Sequence, residues 1–238
     1  MRPLLLSSIA FVASLFLSAC GSSVVPQAAG NKAERVVSLA PSLTEIVCAI
    51  GASDCLAGRT SVCDYPPEIV RKTPVVGAFG NPSMEALLAV KPTLVIDTDL
   101  EDESIVATMT AMGIKHLRAP CAKLSDIPPA IITVGECLHR TSEAQALATN
   151  IVRHVAEMKA AMAERSGAEC PTVFLEIWND PLMTVGKNSF VSELLTLAGA
   201  RNIGDAVSNR EYYAVSSEWV MAQDPDIVIC LYMTTPSE

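Results

Sequence analysis

The sequence predicts an α/β fold of two parallel-sheet lobes joined by one long rigid helix, and three features carry that prediction. Short apolar runs alternate with helical segments of about ten residues, the pattern of a mainly parallel sheet covered on both faces. From Ser142 to about Arg165 the chain holds helical periodicity without Gly or Pro, long enough at roughly 1.5 Å per residue to cross between lobes. A helix-strand unit of the first half returns in the second.

Before the body comes a processing segment. Arg2 supplies a positive start, Leu4 to Leu17 is apolar, and Leu17-Ser18-Ala19-Cys20 follows. At about 21 Å this run falls short of the ~30 Å hydrocarbon core, so residues 1–19 read as a secretory leader rather than a membrane span. The ending resembles the bacterial lipobox, which makes Cys20 the expected lipidation site and the protein an exported lipoprotein of the cell envelope. A secreted protein with a cysteine beside its cleavage site is the alternative. Residues 20–34 are small, polar and unpatterned, and form a flexible leash.

Arg35 to Leu39 is the first expected strand. Ser42-Leu43-Thr44-Glu45 is expected to form a capping box, and the helix it opens runs to Gly51, a residue suited to a left-handed cap. Further strands are predicted at 55–60, 74–77, 93–97 and 114–118, completing an N-terminal lobe over 35–125. The segment 126–168 is helical and contains the inter-lobe helix, opened by a second expected box at Ser142 and Gln145. Leu147, Ile151, Val155, Met158 and Met162 mark its apolar stripe. A covering helix within one domain is the other reading. A strand at 172–177, a helix near 190–198 and a helix-strand pair over 217–231 make a C-terminal lobe over 169–238.

Two segment pairs suggest duplication. Ser83 through Ile96 aligns without gaps with Ser216 through Ile229, and Thr44 to Ala52 parallels Ser192 to Ala200, in the same order in each lobe. Glu85 and Glu218 fall at matching places in the first turn of short helices. The helix dipole alone accounts for them there, while two acids at matching sites of duplicated lobes also suit a two-fold symmetric partner bearing basic pockets.

In open α/β sheets, ligands bind beyond the carboxyl ends of the strands. Those loops are 40–42, 61–65, 78–81, 98–99 and Cys121 in the first lobe, with 178–183, 209–213 and 232–233 in the second. Aromatic residues are few, with Phe 5, Tyr 4 and Trp 2. Tyr65, Phe79, Trp178, Tyr212, Tyr213 and Tyr232 nevertheless gather in or beside these loops. Such rings suit a large, planar, partly apolar ligand, or simply cap the lobes.

Composition excludes several classes. With 17 basic and 26 acidic residues the net charge is −9, and no basic stripe exists, which argues against nucleic acid. His116, His139 and His154, expected in a strand and two helices, have no metal-ligand spacing. Asp64 and Asp180 have no nucleophile-base partner, so no catalytic residue and no cofactor is expected. Seven body cysteines cannot all pair. Cys48 with Cys55 and Cys63 with Cys121 are candidate disulfides, with buried free thiols as the alternative.

Arg35 through Glu45, Cys63-Asp64-Tyr65-Pro66-Pro67-Glu68, Glu85 through Pro92, and Phe190 through Gly199 resemble the cobalamin and ferric-siderophore binding proteins of ABC importers. The cobalamin-binding branch is nearest, and the resemblance covers essentially 35–231. It implies a helical-backbone periplasmic binding protein that holds its ligand, here a corrinoid, in the inter-lobe cleft with slight hinge closure. It also implies that Glu85 and Glu218 dock onto arginines of a permease dimer, and that Tyr65 contacts the ligand. With the loop positions, the expected ligand-binding set is Cys63, Asp64, Tyr65, Phe79, Trp178, Asn179, Tyr212 and Tyr213. The family continues beyond Leu231 with further helices, so a truncated C-terminal lobe with exposed apolar sheet surface is expected. A ferric-siderophore or haem receptor is the runner-up. It ranks lower because an anionic chelate favours clustered cations and only Arg59 and Arg210 are near. An envelope enzyme or a sensor on the same fold are the remaining alternatives.

Overall fold

A computed structural model describes residues 34–100, 102–164, 170–208 and 210–231. The leader with Cys20, and Asn209 and Tyr232, lie outside the described residues.

The first half builds one sheet. Its elements are β1 (Val36–Ser38), α1 (Pro41–Ala49), β2 (Leu56–Arg59), α2 (Pro67–Val70), the small hairpin β3 (Gly77–Ala78) and β4 (Asn81–Pro82), α3 (Met84–Ala89), β5 (Leu94–Asp97), α4 (Glu103–Ala111) and β6 (Lys115–Arg118). The order is β2-β1-β5-β6, all parallel. Successive strand residues point to opposite faces, and both faces are covered. Val36, Leu94 and Ile96 pack with Leu43, Val47, Ile131 and Val134, while Val37 and Val95 pack with Leu87, Met109 and Ile114. Each such aliphatic, fully buried, contributes about 1.5–3 kcal/mol. This explains why the strands read as unbroken apolar runs rather than alternating ones.

Helices α5 (Ile127–Cys137) and α6 (Thr141–Glu164) follow. They approach closely at Gly135, where an added Cβ would stand 2.2 Å from the Ala144 methyl. α6 keeps Ala144 and Ala148 buried against the first core. It then touches α7 (Phe190–Leu197) of the second half, as the inter-lobe role requires. The backbone N–H of Leu124 adds a direct tie by donating to Glu193 Oε2 at 3.0 Å.

The second sheet contains β7 (Thr172–Asn179), β8 (Leu182–Val185), β9 (Arg201–Asn202), β10 (Tyr212–Ala214) and β11 (Ile227–Cys230), with α8 (Ser217–Gln223) before β11. β9 and β11 run parallel to β7, whereas β8 pairs antiparallel with both β7 and β10. The expected mainly parallel second lobe is therefore corrected to a mixed sheet. Only two residues, Asp180 and Pro181, join β7 to β8, and a connection that short can only make antiparallel neighbours. β11 forms one edge, with Ile227, Val228 and Leu231 exposed.

Behind this difference the duplication is visible in backbone detail. Ser83 caps α3 by accepting from Ala86 N–H, and Ser216 caps α8 by accepting from Trp219 N–H. Lys91 and Asp224, each followed by proline, both adopt left-handed φ, 49° and 47°. The strands that follow lie parallel beside β1 and β7 respectively. Likewise α1 and α7 both end on left-handed glycines, Gly51 and Gly199, with Ala52 N–H donating to Val47 O and Ala200 N–H to Leu195 O. β2 and β9 then pair with the two central strands.

Three local expectations are corrected. Neither capping box forms at the expected serine. Pro41 occupies the start of α1 with Ala40 as its cap, since a fixed φ and a missing N–H suit that place. α6 begins at Thr141, leaving Ser142 inside its first turn. His139 lies not in a helix but in a left-handed link between α5 and α6. All seven body cysteines are thiols, so neither candidate disulfide is present.

A cleft between the two sheets as the candidate binding site

The carboxyl ends of β1, β5 and β6 open onto a cavity of about 540 Å³. One wall comes from the first half: Ala40, Pro41 and Ser42 after β1, Thr98 and Asp99 after β5, and Pro120, Cys121 and Ala122 after β6, with Phe79 from the tip of the β3-β4 hairpin. The facing wall is Phe190 at the start of α7, with Glu211 and Tyr212 at β10.

Local chemistry sets each group in place. Asp97, the last residue of β5, is buried, and its Oδ1 accepts from Leu100 N–H at 2.6 Å while its carboxylate pairs with His116 and Arg118. This holds the 97–100 turn, so that Thr98 and Asp99 face the cavity. The Thr98 hydroxyl donates to Asp99 Oδ1 at 2.7 Å. Phe79 and Tyr212 are 49% and 46% exposed, which leaves their ring faces open to a ligand. Burial raises the thiol of Cys121 above its ordinary value. Burial, and then the Glu211 charge, does the same for the phenol of Tyr212. Both groups are therefore neutral donors at pH 7. The cavity thus offers three aromatic rings, Phe79, Phe190 and Tyr212, with hydroxyl and thiol groups and two carboxylates.

Of the expected ligand-binding residues, the fold brings Phe79 and Tyr212 into this lining. Cys63 and Tyr213 are instead core residues. The Cys63 sulfur lies between the hydroxyls of Thr44 and Thr60, and the Tyr213 hydroxyl donates to Gly204 O within the second half. Asp64 and Tyr65 are exposed outside the lining, on a loop tied to the hairpin by Ser61 N–H donating to Gly77 O. Trp178 and Asn179 are exposed at the β7-β8 hairpin, also outside it, and the Trp178 indole N–H donates to Asp180 O. Sequence reasoning did not single out Ser42, Asp99, Cys121 or Glu211 as contacts, although all four lie in the strand-end loops where a ligand is expected.

The cations noted near the cleft do not line it. Arg59 donates to Val70 O and Thr60 O, both at 2.9 Å, and Arg210 is exposed outside the lining. Among the described residues no group of three or more His, Cys, Asp or Glu side chains could hold a metal. Away from the cavity, Glu85 and Glu218 stand exposed in the first turns of α3 and α8. The Glu218 carboxyl is held below the usual carboxylate range by its own N–H and by the hydroxyls of Ser216 and Ser217.

Known proteins share this fold. The family model described as periplasmic binding protein matches residues 36–238. A vitamin B12-binding protein of Salmonella choleraesuis is 30% identical over 198 residues, covering 83% of this chain and 72% of that protein. The crystal structure of the vitamin B12 binding protein BtuF of Vibrio cholerae superposes with a TM-score of 0.70 at 25% identity, covering 83% of this chain and 76% of that one. The haem-binding protein RhuT of Roseiflexus sp. RS-1 superposes at 0.76 with 27% identity and the same coverage. With the family model spanning nearly the whole described body, the chain belongs to the periplasmic binding protein family, whose members bind substrates and do not transform them.

Proposed function

We propose that this protein captures a corrinoid in the cavity between its two sheets and delivers it to the permease of an ABC importer. The observation that carries the reading is the cavity itself: two open aromatic faces, Phe79 and Tyr212, on opposite walls, among hydroxyl, thiol and carboxylate groups and without a cation in the lining. A corrin presents an apolar ring and a rim of uncharged carboxamides, which such walls complement. The vitamin B12-binding relatives support the same ligand. Cys20 would hold the protein at the membrane through lipid, and the leash of residues 20–34 would keep it near the permease and raise its local concentration. Glu85 and Glu218, capped alike on duplicated helices, would dock onto basic pockets of a permease dimer.

Calorimetric titration with cyanocobalamin tests the reading. A dissociation constant of about 1 μM or tighter is expected, weakened at least tenfold in the Phe79→Ala/Tyr212→Ala double variant. No heat with micromolar protein rejects it. A haem receptor is the second reading, favoured by the likeness to RhuT, and haem belongs in the same titration.

A further inference from the structure

Both walls of the cavity carry a carboxylate, Asp99 on one and Glu211 on the other, and both residues are exposed. Of the nearby guanidinium groups, Arg210 is exposed outside the lining and the other two are engaged elsewhere. Arg59 is held by two backbone carbonyls. Arg118, two residues before Pro120 of the cavity wall, turns onto Asp97 and the Leu100 carbonyl and lines a separate hollow beside Glu103 and Val106. Positive ends of α1 and α7 also reach the cavity, but each is worth at most about half a charge. Pro41 brings no N–H, and the Ser189 hydroxyl already accepts from Ser192 N–H. Two full negative charges outweigh them.

We infer that Asp99 and Glu211 form an electrostatic filter that admits neutral or cationic macrocyclic chelates and rejects those bearing free carboxylates. The inference rests on the corrinoid reading and adds to it the ligand class that the site excludes. A ligand carboxylate several ångströms from either residue, in a partly dehydrated cleft, loses about tenfold or more in affinity through like-charge repulsion. The phenol of Tyr212, kept protonated by burial and by Glu211, remains a donor for an amide oxygen.

A matched ligand pair isolates the charge: cyanocobalamin, and its monocarboxylic acid in which one rim amide is hydrolysed. The wild-type protein should prefer the amide by about tenfold or more, and the preference should shrink as salt rises, because screening shortens the reach of both charges. In Asp99→Asn/Glu211→Gln the two affinities should come within about threefold of each other. Each single variant should give part of the change. Equal wild-type affinities for amide and acid, or a preference that the double variant leaves intact, overturns the filter while the corrinoid reading stands. Haem bound by the wild type as tightly as cyanocobalamin likewise overturns it. Binding of neither corrinoid removes the reading and the filter together.

Discussion

Asp97 is 2% exposed, yet it carries the charge around which the 97–100 turn is built. Replacing it with alanine strands the Leu100 N–H and leaves His116 and Arg118 without their shared acceptor. Breaking a buried pair from one side costs about 3–5 kcal/mol, because the partner stays dehydrated and unpaired. With Arg118 half exposed, Asp97→Ala should lower unfolding stability by about 3 kcal/mol, read as a shifted urea midpoint at constant slope. A loss below about 1 kcal/mol contradicts this role. Single residues were the least legible scale in the sequence. Phe79 and Tyr212, which the cavity lining includes, stand out in the sequence because aromatic rings in strand-end loops are rare. Cys63 and Tyr213 were misplaced because a side chain's direction depends on neighbours distant in the chain: Thr44 and Thr60 enclose the first, and the Gly204 carbonyl anchors the second. Asp99 and Glu211 fall in the expected strand-end loops, but only the assembled walls set the two acids on opposite sides of one cavity.

Elements were more legible where backbone geometry demands particular residues. Gly51 and Gly199 close α1 and α7, and a serine opens α3 and α8, so the duplication showed in the sequence. β8 and β10 were missed because they are short and alternate weakly. The capping box at Ser42 failed because Pro41 fixes the start of α1 one residue earlier. At the base of the second sheet, Asp226 clamps β11 to β7: its Oδ2 accepts from both the N–H and the hydroxyl of Thr172, each at 2.7 Å. Those bonds, and then Arg201, lower its pKa from the ordinary 3.8. Because the folded value is depressed, the clamp's stabilisation is present above the unfolded value and is lost as pH falls through the folded one. A carboxyl titration of Asp226 by NMR should have its midpoint below 3.8, and that depression should vanish in Thr172→Val only in its hydroxyl part. A midpoint at or above the ordinary value contradicts the clamp.

At the scale of the whole molecule, the long helix was the strongest signal. A 24-residue run free of Gly and Pro has few uses other than linking two bodies, and α6 does pack on the first core and then meet α7. The cleft follows from that arrangement, since it turns the strand ends of the two sheets toward one cavity, which neither half encloses alone. The central claim is that a corrinoid occupies this cavity, and Cys121 reports on it directly. Its thiol is half-buried in the cavity wall, whereas Cys137 is exposed at the end of α5, outside the lining. Alkylation followed by peptide mass spectrometry, with and without saturating cyanocobalamin, should show Cys121 protected about tenfold or more and Cys137 unchanged. Equal labelling of Cys121 in the presence and absence of bound cyanocobalamin would place the ligand elsewhere and contradict the account.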